Sequence, residues 1–287
     1  MSRYDRIVAW KTAGREELII KMYNSIMDAA VWSNLNQTAL FLDQTESRLD
    51  IDRDQVEQFY LPVASHLLEK QTLMSRLLVG VAGPPGSGKT AFATLLAAVI
   101  NALSKEDLAI VVGLDGWHYP NAYLETHVVE REVGSVSLKS LKGIPETFDV
   151  AAALGCFASI RRGETVPIPV YSRELHDPLP NAGSVQPRHR IVIAEGNFLL
   201  LGEGEWAAFK YLFGVSLFLR ADPQALCAAL AERHRRGGKT PAQIAHHLET
   251  VDLPNAERVL VNSFPAQIVI HKKDAWSIER IEGLNSN

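Results

Sequence analysis

The sequence predicts an α/β fold: a three-layer sandwich in which a mostly parallel sheet carries helices on both faces. Three observations predict it. Short apolar runs of strand length, "RLLVGVAG", "LAIVVGLDG", "HRIVIAEG", "VSLFLR" and "AQIVIH", recur from Arg76 onward. Stretches of good helix formers such as "TAFATLLAAVINAL" separate them, the arrangement of strands buried on both sides by crossover helices. A glycine-rich loop stands between the first run and the first of these helices. With 287 residues, 47% of them hydrophobic, the chain is long enough for one large domain or a domain with an appendage.

The elements follow in order. Residues 1–75 read as a helical N-terminal extension, clearest over Gln55 to Thr72, where Phe59, Leu61, Val63, Leu67 and Leu68 fall near helical spacing. Residues 76–287 read as the main domain. Its first run, Leu77 to Ala82, leads into Gly83, Pro84, Pro85, Gly86, Ser87, Gly88, Lys89, Thr90 and Ala91, which contain G-x-x-x-x-G-K-T. Glycines allow successive N–H groups to turn toward an anion, and the following helix start adds partial positive charge. Lys89 then reaches the outer phosphates of a nucleotide and the Thr90 hydroxyl holds Mg²⁺. The fold is therefore expected to be the P-loop NTPase form of the sandwich, and the loop alone leaves a switch GTPase, a motor ATPase and an ATP-dependent kinase open.

The strand ends say what becomes of the phosphate, because ligands of such sheets lie beyond the carboxyl ends of the strands. No aspartate has glycine three residues on, as a switch GTPase requires, and "HKKD" (His271 to Asp274) lacks the first residue of a guanine-reading motif and reads as a charged loop. The second run ends in Asp115, placed to take a proton from an incoming hydroxyl. A later run ends in Glu195, placed to hold Mg²⁺ directly or through water.

The formal net charge of -4 supplies no field for nucleic acid or anionic lipid, so neither is an expected partner. The two cysteines, Cys156 and Cys227, fall in helical stretches and read as reduced, buried thiols. No apolar run has membrane-spanning length, and the expected location is cytoplasmic.

These motifs, with "KGIPETFD" (Lys142 to Asp149), "PVYSRELHDP" (Pro169 to Pro178) and "NAERVLVNS", occur in an order that resembles the phosphoribulokinase, uridine kinase and bacterial pantothenate kinase family, most of all a bacterial branch of it associated with sugars. The resemblance covers about residues 55 to 271. It implies a phosphotransferase with an alcohol acceptor: Asp115 as base, Glu195 with Mg²⁺, Asp149 on acceptor hydroxyls, and Tyr171 and His176 lining the acceptor pocket. Arg173 stands where pantothenate kinases commonly have histidine, and meets either a substrate anion or solvent.

The segment 226–240 would be the lid, with Arg233, Arg235 and Arg236 ahead of a glycine pair. Arginines that such proteins often carry one and two turns earlier are replaced by Cys227 and Ala229, so Arg233 has the best claim to the transferring phosphoryl group. The acceptor expected first is a monosaccharide or polyol. Pantothenate and nucleosides remain alternatives, as does a regulatory P-loop NTPase with slow hydrolysis. The first 54 residues read equally as a dimerisation element or as a cover over the core, and residues 120–141 as a flap or a short helix over the substrate.

Overall fold

A computed structural model describes Trp32, Leu35 and residues 40–42, 45–47, 52–131, 134–274 and 276–284. Its centre is a six-stranded sheet in the order β12-β11-β10-β3-β9-β4. These strands are β3 (Leu77–Ala82), β4 (Ala109–Gly113), β9 (Ile191–Glu195), β10 (Val215–Ala221), β11 (Ile268–Lys272) and β12 (Ile278–Glu282). The five apolar runs form the five parallel strands. The edge strand β12 runs antiparallel to β11. Among the described residues three two-stranded sheets accompany it: β1 (Leu40–Leu42) with β2 (Thr45–Ser47), β5 (Val128–Arg131) with β6 (Gly134–Ser137), and β7 (Val166–Ser172) with β8 (Asp177–Val185).

Side-chain alternation sends each strand into two cores. Leu77, Val79, Val81, Ile191, Ile193 and Leu217 pack on one face with α1 (Leu61–Thr72) and α2 (Lys89–Ser104). Leu78, Ala82, Val192, Ala194 and Phe218 pack on the other with α4 (Val150–Arg161) and α7 (Leu253–Asn262). A short α3 (Asn121–Thr126), α5 (Pro223–Arg236) and α6 (Pro241–His247) stand outside this sandwich.

Several expectations need adjustment. The hairpin β1–β2 lies in the segment expected to be helical, and most of residues 1–51 lie outside the described residues. Helix α1 shares its apolar cluster with the central sheet. Within the stretch 120–141 stand both a helix, α3, and a ribbon of the antiparallel strands β5 and β6. Cys156 and Cys227 are free but half-buried, and burial pushes the Cys156 thiol up to about 11. "HKKD" is a charged loop only in its second half: His271 and Lys272 close β11, Lys272 at 4% exposure and donating to the Trp276 carbonyl at 2.8 Å, while Lys273 is exposed in the bend that follows.

Candidate active site

Parallel pairing fixes the strand ends. Val81 of β3 and Gly113 of β4 both stand opposite Glu195 of β9, so the phosphate loop, Asp115 and Glu195 issue from three adjacent strands. Lys89 opens α2, whose N-cap Gly88 has φ 79° and whose first turn no side chain caps. A residue with a Cβ is strained in that left-handed conformation, and the uncapped N–H groups remain for an anion. The Lys89 ammonium is buried and donates to the Pro84 carbonyl at 2.9 Å. Burial brings Lys89 down to about 8, against the opposing pull of Glu195 and Asp115, and Arg233 pushes the same way as burial. All four charged groups therefore share one electrostatic neighbourhood.

Thr90 donates to Glu195 Oε1 at 3.1 Å. Burial first, then the Asp115 charge, raises Glu195 to about 7, while Lys89, the Thr90 hydrogen bond and Arg173 oppose the rise. A buried carboxylate beside a hydroxyl and a second carboxylate is a hard oxygen donor set that fits Mg²⁺.

Asp115 lies in the turn Leu114–Trp117 that follows β4. Main-chain bonds from Tyr119 to Thr147 and from Asp149 to Trp117 lay the "ETFD" segment beside it. Next to this turn the His118 ring packs 3.8 Å from Phe148 and 5.4 Å from Tyr171, centroid to centroid. Its Nδ1 hydrogen-bonds the Asp115 carbonyl at 2.9 Å, and burial holds its pKa down. Tyr171 is pushed up to about 12 by burial and by the Asp115 charge. One Asp149 oxygen caps α4 through the Ala152 N–H at 2.9 Å.

His176 differs from the rest. It occupies the β7–β8 turn with φ 51° and is exposed. Its main-chain carbonyl is engaged, accepting from Asn121 Nδ2 at 3.0 Å and from Lys142 Nζ at 2.7 Å. The buried imidazole beside Asp115 belongs to His118. Lys142 also donates to Asn121 Oδ1 at 2.8 Å, stands 3.7 Å from Asp177 Oδ1 and lies 5.0 Å from the Tyr171 ring centroid. It ties α3, the β7–β8 turn and the wall next to Asp115 together. The sequence alone assigns a role to neither His118 nor Lys142. "DGWH" and "KG" did mark both positions.

Arg233 sits in the last turn of α5 at 3.5 Å from Asp252 Oδ1. Arg235 and Arg236 pair instead with Glu232 on their own helix. Among the described residues no helix is long and apolar enough to cross a membrane.

A phosphate loop flanked by two strand-end carboxylates on a parallel sheet defines the class: a P-loop phosphotransferase acting on small molecules. Residues 78–222 match the family model described as phosphoribulokinase / uridine kinase family. The chain is 31% identical over 219 residues to the uncharacterized protein YggC of Escherichia coli strain K12, covering 76% of this chain and 87% of that one. It is 30% identical over 234 residues to pantothenate kinase of Rhodopseudomonas palustris strain TIE-1, covering 70% of each. Its fold is similar to a crystal structure from Silicibacter sp. TM1040 provisionally described as a fructose transport system kinase, with TM-score 0.61, 30% identity and coverage of 72% of this chain and 96% of that one. The chain belongs to the phosphoribulokinase / uridine kinase family.

Proposed function

We propose that the protein transfers the γ-phosphoryl group of Mg²⁺-bound ATP to a hydroxyl of a small polyhydroxylated metabolite, a monosaccharide or polyol first. The observation that carries this reading is the convergence of the phosphate loop, Asp115 and Glu195 on three neighbouring strand ends. The acceptor lies between Asp115, Asp149 and Tyr171. Carboxylates accept from hydroxyls, and the tilted rings of Tyr171 and His118, 5.4 Å apart, give an aromatic corner for the carbon skeleton. The provisional description of the Silicibacter protein as a fructose transport system kinase supports a sugar. Pantothenate is the second reading, favoured by the identity to the Rhodopseudomonas enzyme.

Asp115 orients the acceptor hydroxyl and receives its proton as the oxygen–phosphorus bond forms and the bond to the ADP oxygen breaks. Lys89 and the lid residue Arg233 meet the phosphoryl oxygens, so the acceleration comes from positioning and charge. Thr90 and Glu195 would hold Mg²⁺, which when bound neutralises phosphate charge. Closure of the segment 226–240 excludes water as a competing acceptor.

The test is ADP release with ATP and Mg²⁺ against monosaccharides, polyols, hydroxy acids, pantothenate and nucleosides, beside Asp115→Asn. A sugar or polyol that raises turnover in the parent, with the gain abolished in the variant, is the expected result. Stimulation by pantothenate alone moves the second reading ahead. Turnover indifferent to every acceptor, and equal in the variant, makes the chain a regulatory NTPase.

A further inference from the structure

The Arg233 side chain is 43% exposed, yet its charge is felt by buried Lys89 in the phosphate loop. A flexible cation at a surface populates many rotamers unless something fixes it. Facing it is a buried carboxylate, Asp252, at 6% exposure, at the end of the π-helical stretch Leu248–Asp252 that continues α6 into α7. Asp252 Oδ1 lies 3.5 Å from Arg233 Nη2, and Oδ2 accepts from His234 Nε2 at 2.7 Å. His247 Nε2, on α6, stands 3.9 Å from the same Oδ2. Lys239, between α5 and α6, also feels the Asp252 charge. One carboxylate thus gathers basic groups from α5, α6 and the loop between them.

We infer that Asp252 is the positioning residue for Arg233, holding its guanidinium toward the phosphate loop so that the lid arginine meets the terminal phosphate from a fixed place. The inference rests on the reading of Arg233 as a phosphate-facing lid residue. His234 fixes the other oxygen of the carboxylate and so keeps Oδ1 turned to Arg233.

By residue type, His234, His247 and Asp252 could instead hold a metal ion, since a ligand atom of each lies within 4.8 Å of the others. The charges argue against it. A divalent ion there would face Arg233 and Lys239. The 2.7 Å between His234 and Asp252 is a hydrogen-bond distance, whereas two ligands around zinc stand about 3.3 Å apart.

The experiment compares the affinities of parent, Arg233→Ala, Asp252→Asn and the double variant for ADP and for β,γ-imido-ATP, each with Mg²⁺, by calorimetry. Arg233→Ala is expected to lose about tenfold of the preference for the imido analogue, one charge-assisted contact. Asp252→Asn, which acts on the nucleotide only through Arg233, is expected to lose about threefold or more in the same sense, and the double variant to match Arg233→Ala, the non-additivity of residues acting as one unit. Additive losses, an unchanged preference, or tighter analogue binding in Asp252→Asn overturn the inference. An unchanged preference in Arg233→Ala overturns the reading of Arg233 on which it rests. Should Asp252→Asn not fold, Asp252→Glu takes its place: a shift that disappears in the Arg233→Ala background supports the assignment, and a persistent or absent shift overturns it. Micromolar zinc chloride that raises the melting temperature of the parent but not of His247→Ala would make the cluster a metal site and also overturn it.

Discussion

Thr90 Oγ1 donates to Glu195 Oε1 at 3.1 Å, joining the first turn of α2 to the carboxyl end of β9. The bond links the two candidate Mg²⁺ ligands directly to each other. Glutamine at position 195 keeps the acceptor for Thr90 and removes the charge. Glu195→Gln is therefore expected to fold like the parent and to lose turnover on the order of 100-fold, with weaker dependence of nucleotide affinity on Mg²⁺. Calorimetric ATP titrations at several Mg²⁺ concentrations check this, and an unchanged Mg²⁺ dependence would remove Glu195 from the site.

Lys142→Met tests the wall beside Asp115. The substitution keeps apolar bulk against Tyr171 and deletes the bonds to Asn121 and His176. Loss of charge-assisted bonds costs about 1.5–3 kcal/mol. The acceptor KM is expected to rise about tenfold, while the KM for ATP stays within twofold. Equal changes in both constants would mean that Lys142 supports the fold as a whole.

Gly116 follows Asp115 in a turn pressed against β7, where an added Cβ would lie 2.5 Å from the Pro169 carbonyl oxygen. Backbone is not a neighbour that yields easily. Gly116→Ala should destabilise by about 1–3 kcal/mol and, by shifting Asp115, lower kcat on the order of 10- to 100-fold. Denaturant unfolding and steady-state kinetics together decide; wild-type kcat in a destabilised protein would uncouple the turn from catalysis.

Burial lowers Lys272 to about 8, with the Asp274 charge opposing. A depressed ammonium pKa means that the unfolded chain holds this proton over a range where the folded chain has released it, so this residue raises stability as pH climbs from about 8 toward its unfolded pKa of about 10.4. Below about 8 the full cost of a buried charge remains. Lys272→Met is thus expected to be more stable than the parent at pH 7, with the advantage shrinking above pH 8. Paired urea titrations at pH 7 and pH 9.5 measure it; a constant difference would show that Lys272 is not desolvated.

The legible parts of this chain were those in which chemistry and local pattern coincide. Five apolar runs became five parallel strands, because strands buried on both faces read as unbroken hydrophobic stretches. The phosphate loop, Asp115 and Glu195 were legible because each sits at a strand end. The β7–β8 hairpin was not legible. Pro167, Pro169, Pro178 and Pro180 make it look like loop, yet a two-stranded ribbon has outer edges where a missing N–H is harmless. Lys142 and Asp252 were hidden for another reason. Their partners His176 and His234 lie 34 and 18 residues away, a proximity made only by the folded chain.

The separate two-stranded sheet formed by β7 and β8 has an evolutionary consequence. The phosphate loop, Glu195 and Asp115, the residues proposed to handle phosphate, follow the hydrogen-bonded strands β3, β9 and β4, while Tyr171 and the turn at His176 belong to a ribbon outside that ladder. On the proposed reading, lineages can exchange the ribbon and acquire new acceptors as long as the Pro169 contact that seats the Asp115 turn is kept. Relatives with similar phosphate loops and different substrates are the expected products of such tinkering, and transplanting residues 166–185 between them is the natural engineering route to altered selectivity.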